Sequence, residues 1–313
     1  MAIEIAKYNS ELKKPWDDFI ERSKNGTFLF YRDYMEYHVD RFKDSSFLFF
    51  DDNRLIAVFP TNIRGSILDS HGGLTFGGVL SDRKMRTPLM IDIFSKLIIF
   101  LKRVGIDKII YKAIPYIYHD VPAEEDLYAL FINGAKLIRR DVSSTIAVKV
   151  RDGFSKGRKW SINKSKQAGI EVRISTNFKE FMSIEEHVLK KYHQCKPVHT
   201  TDEIEMLANR FPNNIKLFVS YLEDRMLAGV IVYESKNVTH AQYIASTDKG
   251  KKIGAADIIF DYLINQYYAD KKYFDFGIST ENEGYSLNKG LIANKEGFGS
   301  RAVVYDTYEL NVE

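Results

Sequence analysis

The residues best suited to chemistry lie between Val238 and Ala256. The β-branched, apolar run Val238 to Ala245 predicts a strand, and it carries His240 and Gln242. A polar turn follows, then Lys249-Gly250-Lys251-Lys252-Ile253-Gly254-Ala255-Ala256, where a helical pattern begins. The first backbone amides of a helix have no partner within it, and the helix dipole favours an anion there. Gly250 and Gly254 permit close backbone approach and positive φ. Three lysines add charge that a pyrophosphate would neutralise. Gly-Lys-Ser/Thr is absent, and so is Gly-x-Gly-x-x-Gly, which excludes two well-known nucleotide loops. The plainer alternative is a solvated basic turn capping an amphipathic helix. Imidazole titrates near neutral pH, so His240 is the candidate general base, with a buried, satisfied histidine as the alternative. Gln242 shares its strand face by the two-residue period and is the candidate orienting group.

Three further groups could bind a substrate. Arg158, Lys159, Asn163, Lys164 and Lys166 cluster with no acidic residue from Gly153 to Gly169. Such a run is either a solvated helix face or a cation-rich wall for an anionic acceptor. Pro115-Tyr116-Ile117-Tyr118-His119 ends a predicted strand, where tyrosines could stack on a base or sugar, or pack a loop. His71 precedes Gly72, Gly73, Gly77 and Gly78, which imply a turn or close contact with a ligand. His187, His193, Cys195 and His199 hint at zinc, but six residues is not a same-face helical spacing and Pro197 interrupts the run, so no metal site is expected.

These residues must be positioned by elements, and the elements repeat. A strand at Ile3 to Ala6 or Ile170 to Arg173 precedes helical stretches, Trp16 to Arg22 and Tyr31 to Phe42, or Phe178 to Tyr192 and Asp202 to Phe211. A hairpin follows, Phe47 to Val58 or Leu217 to Gly229, then Ser70-His71 or Thr239-His240. Each copy closes with a helix, at Pro88 to Val104 or Gly254 to Ala269, and a further strand. Ile3 and Ile170, Arg54 and Arg225, His71 and His240, and Asp107 and Asp270 recur at separations of 167, 171, 169 and 163 residues. Such a small drift implies duplication, with domains at 1–150 and 151–313. His71 thereby stands at the His240 position of a copy that lacks the basic loop.

The chain has 313 residues, 45% hydrophobic and 28% charged, enough for two packed cores. A net charge of +3 argues against nucleic acid as a bulk partner. One cysteine, Cys195, excludes a disulfide framework and fits a reducing cytoplasm. Leu89 to Val104 is too short and too charged to span a bilayer.

The element order resembles the GNAT acyltransferase superfamily, and two such units in tandem resemble its Fem-like branch. Lys249 to Gly254 is similar to the Arg/Gln-x-x-Gly-x-Gly/Ala loop, with Lys252 where a glycine is usual. Asp275-Phe276-Gly277-Ile278 and Lys295-Glu296-Gly297-Phe298-Gly299 resemble the branch's Asp-Phe-Gly and Lys-x-Gly-Phe-Gly segments. The resemblance implies an α/β fold of two tandem domains, each a mixed, mostly antiparallel sheet flanked by helices. It implies coenzyme A, with the pantetheine along Tyr243, Ile244, Ala245 and Ser246. The pyrophosphate would rest on Lys249, Gly250, Lys251, Lys252, Ile253, Gly254 and Ala255, and Asn288 matches a further family asparagine. The family's frequent tyrosine acid has no counterpart, since Ala293 and Asn294 occupy its region. The implied activity is acyl transfer from acyl-coenzyme A to a nucleotide-linked amino sugar. The acceptor would meet His71, Tyr116, Tyr118, His119, Arg158, Asn163 and Lys164. The alternative is an aminoacyl-tRNA-dependent transfer to a peptidoglycan precursor.

Overall fold

A computed structural model describes residues 3–192 and 194–312 and divides the chain into two compact units. The first comprises Met1–Asp141, Glu281–Ser286 and Val304–Glu313; the second comprises Val142–Thr280 and Leu287–Val303. The fold is α/β, with mixed, largely antiparallel ladders flanked by helices in each unit. The division differs from a single cut at residue 150. It falls at Asp141, and the last residues return to the first unit because Thr307–Asn311 pair with Lys108–Lys112.

The first unit runs β1 (Ile3–Lys7), α1 (Lys13–Arg22), α2 (Arg32–Met35), β2 (Phe47–Asp51), β3 (Arg54–Phe59), β4 (Asn62–Arg64), β5 (Ile67–Asp69), β6 (Leu80–Ser81), α3 (Thr87–Arg103), β7 (Lys108–Lys112) and α4 (Glu125–Ile132). β8 (Lys136–Ala147) leads into the second unit. Pro88 sits in the first turn of α3, where its missing N–H costs nothing. The helix expected over Tyr31 to Phe42 is only α2 and a 3₁₀ turn at Glu36–His38, and the buried Arg32 is tied to Glu36 and Asp44.

The second unit continues with α5 (Lys156–Gln167), β9 (Glu171–Ser175), α6 (Phe178–Tyr192), α7 (Thr201–Arg210), β10 (Ile215–Leu222), β11 (Arg225–Glu234), β12 (Val238–Ser246), α8 (Asp248–Ile253), α9 (Ala255–Tyr262), β13 (Tyr273–Ile278), β14 (Thr280–Glu281), β15 (Ser286–Leu287), α10 (Lys289–Glu296) and β16 (Arg301–Asn311). A Thr200–Glu203 capping box starts α7. The sheet order here is β8-β13-β12-β11-β10-β9. α9 packs on one face, with Val230, Val232, Ala241 and Phe274 in that core. α6 packs on the other, where a β-carbon on Gly229 would stand 2.3 Å from the Phe181 ring.

The duplication is visible in the ladders. In β2–β3 the pairing steps from Phe49–Ala57 to Phe50–Leu55, which bulges Ile56. In β10–β11 it steps from Ser220–Ala228 to Tyr221–Met226, which bulges Leu227. The two bulges are 171 residues apart, as are Arg54 and Arg225. Each unit then has a three-pair parallel ladder, β5–β7 ending at Asp69–Ile110 and β12–β13 ending at His240–Asp275. Asp69 and His240 are again 171 apart. The residue equivalent to His240 is therefore Asp69, and the expected match with His71 is corrected by two positions. β5 ends at Asp69, and His71 lies beyond it in a turn with φ +56°.

Candidate functional site

The site forms where β12 and β13 stop pairing. Their ladder ends at His240–Asp275, while β12 runs on to Ser246 and β13 to Ile278. His240 Nδ1 lies 2.7 Å from Asp275 Oδ2. Asp275 is fully buried, and its Oδ1 accepts from Ser143 Oγ at 2.5 Å and Thr145 Oγ1 at 2.7 Å. Burial alone would raise the Asp275 carboxyl. The His240 hydrogen bond and charge, with the two hydroxyls, hold it below the ordinary carboxylate value. An ionised Asp275 can only accept, so His240 donates from Nδ1 in either charge state, and in the neutral imidazole the lone pair is then on Nε2. The His240 side chain is 14% exposed, enough to meet a substrate.

Gly277, at φ +77°, turns β13 past the imidazole, and a β-carbon there would stand 3.2 Å from His240 Cε1. Lys295 of α10 donates to the carbonyls of Gly277 at 2.9 Å and Ile278 at 2.8 Å. Burial pushes the Lys295 amine down to about 8, against the opposing charge of Asp275. Phe276 stacks on Phe298 with ring centroids 5.5 Å apart. The two motifs read in the sequence thus meet in space: one supplies Asp275, Phe276 and Gly277, the other Lys295 and Phe298. Neither Asp275 nor Lys295 was singled out from the sequence as a site residue. Their motifs carried the signal, but their partnership with His240 depends on a parallel ladder spanning 35 residues.

A bulge in β12 changes the expected faces. Tyr233–His240 and Val232–Ala241 are followed by Ile231–Tyr243, so Gln242 has no ladder partner. Tyr243 is brought onto the face of His240, and the two-residue period does not carry through Gln242. Tyr243 OH lies 2.6 Å from His199 Nδ1 and accepts from the His199 backbone N–H at 3.1 Å.

Lys249 to Gly254 is not an open loop. Thr247 caps the short helix α8 by accepting from Gly250 N–H at 3.0 Å. A β-carbon on Gly250 would stand 2.3 Å from the Leu227 carbonyl, so this glycine admits β11. Gly254, at φ +77°, ends α8 and begins α9. Its substituent would meet Ser161 Oγ at 2.3 Å and Ser165 Oγ at 2.9 Å, so this glycine admits α5. Lys251 lies over the Tyr192 ring at 3.9 Å, while Lys249 and Lys252 are exposed. Ile253 is half-buried and Ala255 buried. Of the residues expected along the pantetheine, Ile244 is half-buried and Ala245 and Ser246 are buried. Asn288 caps α10 by accepting from Leu291 N–H at 3.0 Å.

The cations of α5 are largely engaged by the protein. Arg158 contacts both carboxylate oxygens of Asp257, at 2.8 and 2.9 Å, and lies over Phe298 at 4.7 Å. Lys164 donates to the Lys252 carbonyl at 2.9 Å, and Lys166 pairs with Asp261 at 2.9 Å. Arg158 and Lys164, expected to meet an anionic acceptor, thus each have a partner within the protein. Asn163 is exposed.

In the first unit, His71 is 2% exposed and stacks on His38, and burial pushes its pKa down to about 3. Tyr118 is buried against Phe76 and Tyr305, as a packing residue would be. His119 Nε2 lies 3.1 Å from the Ile114 carbonyl, and burial lowers its pKa to about 4. Tyr116 is half exposed. Of the zinc candidates, His193 lies outside the described residues, and among the described residues no cluster of His, Cys, Asp or Glu could hold a metal. No helix among them is long and apolar enough to cross a membrane.

Residues 160–285 match the family model of an acetyltransferase (GNAT) domain. The fold is that of the GNAT acyltransferases, and the protein is a transferase. Among solved structures, FemX is similar over 97% of this chain and 96% of its own, with a TM-score of 0.67 and 12% identity. L-PGS from Bacillus licheniformis is similar over 90% of this chain and 92% of its own, with a TM-score of 0.61 and 12% identity. A tandem GNAT protein from the clavulanic acid biosynthesis pathway covers 100% and 99%, with a TM-score of 0.53 and 8% identity. At these identities the likeness is one of fold. No curated protein sequence matches the chain.

Proposed function

We propose that the second unit transfers an acyl group from acyl-coenzyme A to the amine of a dTDP- or UDP-linked amino sugar destined for bacterial surface polysaccharide. The His240–Asp275 pair at the end of the parallel ladder carries this reading. Beyond it, β12 from Ala241 to Ser246 has no β13 partner, so its inner edge is open to an amide-bearing pantetheine arm. The exposed Lys249 and Lys252 would face the phosphates. Gly250 and Gly254 contribute no approach to a ligand, since protein atoms fill it.

In this reading His240 Nε2 removes a proton from the acceptor ammonium, and Asp275 stabilises the imidazolium through Nδ1. The free amine attacks the thioester carbonyl, a C–N bond forms, and the C–S bond breaks to release the thiolate of coenzyme A. As the C–S bond breaks, the attacking nitrogen sheds its second proton to solvent, and the imidazolium proton returns to the thiolate, so the products are a neutral amide, free coenzyme A thiol and one released proton. Purified protein mixed with acyl-coenzyme A and a panel of dTDP- and UDP-amino sugars should release free thiol in step with amide formation. Absence of thiol release across the panel would overturn the proposal.

A second reading has an aminoacyl ester as donor. It is favoured by the filled glycine faces of α8 and α9 and by the likeness to FemX and L-PGS. Stabilisation of the protein by coenzyme A in a thermal melt would decide against it. Transfer from aminoacyl-tRNA without such stabilisation would decide for it.

A further inference from the structure

One sheet face of the second unit gathers polar side chains that the proton-transfer pair does not account for. Tyr233, Ile231 and Gly229 are alternate residues of β11, opposite His240, Tyr243 and Ala245 of β12. These six residues therefore share a face. α6 covers it, with Phe181 lying on Gly229. Glu185 is one turn beyond Phe181 on the same inward stripe of α6. Its residue surface is only 6% exposed, and its Oε2 is out of contact with solvent and has no hydrogen-bond partner among the described residues. Among the described residues no charged group acts on it.

A buried carboxyl without a partner is costly whether it is charged or neutral. Nothing in the packing requires one here, because Phe178, Phe181 and Met182 fill the rest of the stripe. Burial pushes the Glu185 carboxyl up to about 7, so it can be ionised by a cation that reaches it. A cavity of about 830 Å³ lies beside α6, lined by Glu186 and Lys190 of that helix and by His199 and Thr200. His199, buried and bonded to Tyr243, ties the cavity wall to β12.

We infer that Glu185 is the ammonium-binding residue of the acceptor subsite, holding the substrate amine on the sheet face that carries His240. This rests on the proposed acyl transfer to an amine and adds to it the group that recognises that amine. Glu185 acts as a binding and positioning residue, whereas His240 moves the proton.

The test uses the full-length protein, acetyl-coenzyme A, and whichever panel amino-sugar nucleotide the wild type acylates fastest. Glu185→Gln should raise the acceptor KM at least tenfold, leave the KM for acetyl-coenzyme A within twofold, and lower kcat less than the acceptor KM rises. Glu185→Asp should recover part of the loss. The matching nucleotide sugar with a hydroxyl in place of the amine should inhibit wild type and Glu185→Gln with equal constants. An acceptor KM within twofold of wild type in a folded Glu185→Gln would overturn the assignment and leave the transferase reading standing. A wild type that acylates no amine would overturn both.

Discussion

The two units share a scaffold and differ in one pair of side chains at its centre. Both have the bulged hairpin and a three-pair parallel ladder. Where the second places His240 against Asp275, the first places Asp69 against Ile110. The nearby histidine of the first unit, His71, is buried among aromatic rings, and its pKa of about 3 keeps it neutral near pH 7. Backbone pairing can thus persist after duplication while the capacity for proton transfer does not. The ladder needs only backbone groups, whereas the dyad needs two particular side chains at one rung.

Four measurements would break or sharpen that contrast. The largest effect should come from His240→Ala, which should lower kcat by about 10²–10⁴-fold, the usual contribution of a positioned base. His71→Asn, which tolerates positive φ, should leave kcat per folded molecule unchanged. A first-unit variant that silenced turnover without unfolding would show that the contrast was drawn in the wrong place.

Next, Asp275→Asn should lower kcat by one to two orders of magnitude and destabilise the fold by about 3–5 kcal/mol, as expected when one partner of a buried pair is removed. Its pH dependence has a definite sign. The Asp275 carboxyl is held below its unfolded value, so its stabilisation is present above the ordinary carboxylate pKa of about 4 and is lost as pH falls through the folded value. Acid melts of Asp275→Asn should therefore lack part of the wild-type decline below about pH 4. Equal declines would mean that Asp275 is not ionised in the native state.

A smaller effect distinguishes glycines. Gly254→Ala combines positive φ with a clash against Ser161 and should cost about 1–3 kcal/mol or more in urea unfolding. Gly105→Ala in the first unit has positive φ and open space, and should cost about 1 kcal/mol. Smallest should be Lys249→Ala and Lys252→Ala, each raising the KM for acyl-coenzyme A a few-fold, more at low salt than at high salt. No change at low salt would remove these lysines from the donor site.

The sequence made the strands, the long helices and the duplication legible, because alternation and 3.6-residue spacing survive without knowledge of partners. Phe178–Tyr192 is helical over the span its apolar spacing predicts. What it concealed depends on register. The two-residue correction from His71 to Asp69 follows from a ladder that no local pattern reveals. The bulge at Gln242 leaves no mark in a run of strand formers. The glycines of α8 and α9 suggested room for a ligand, but the identity of an approaching atom is not written in a glycine. Here the atoms are a carbonyl of β11 and hydroxyls of α5.

The return of β16 to β7 sets an order on synthesis. The Lys108 side chain pairs with Glu309, 201 residues later, across a ladder whose rungs, from Lys112–Thr307 to Lys108–Asn311, are separated by 195 to 203 residues. On a ribosome, the first unit waits with β7 missing its antiparallel neighbour until the final segment emerges, while residues 142–280 have already been made. The half that is translated first is therefore the half that is completed last.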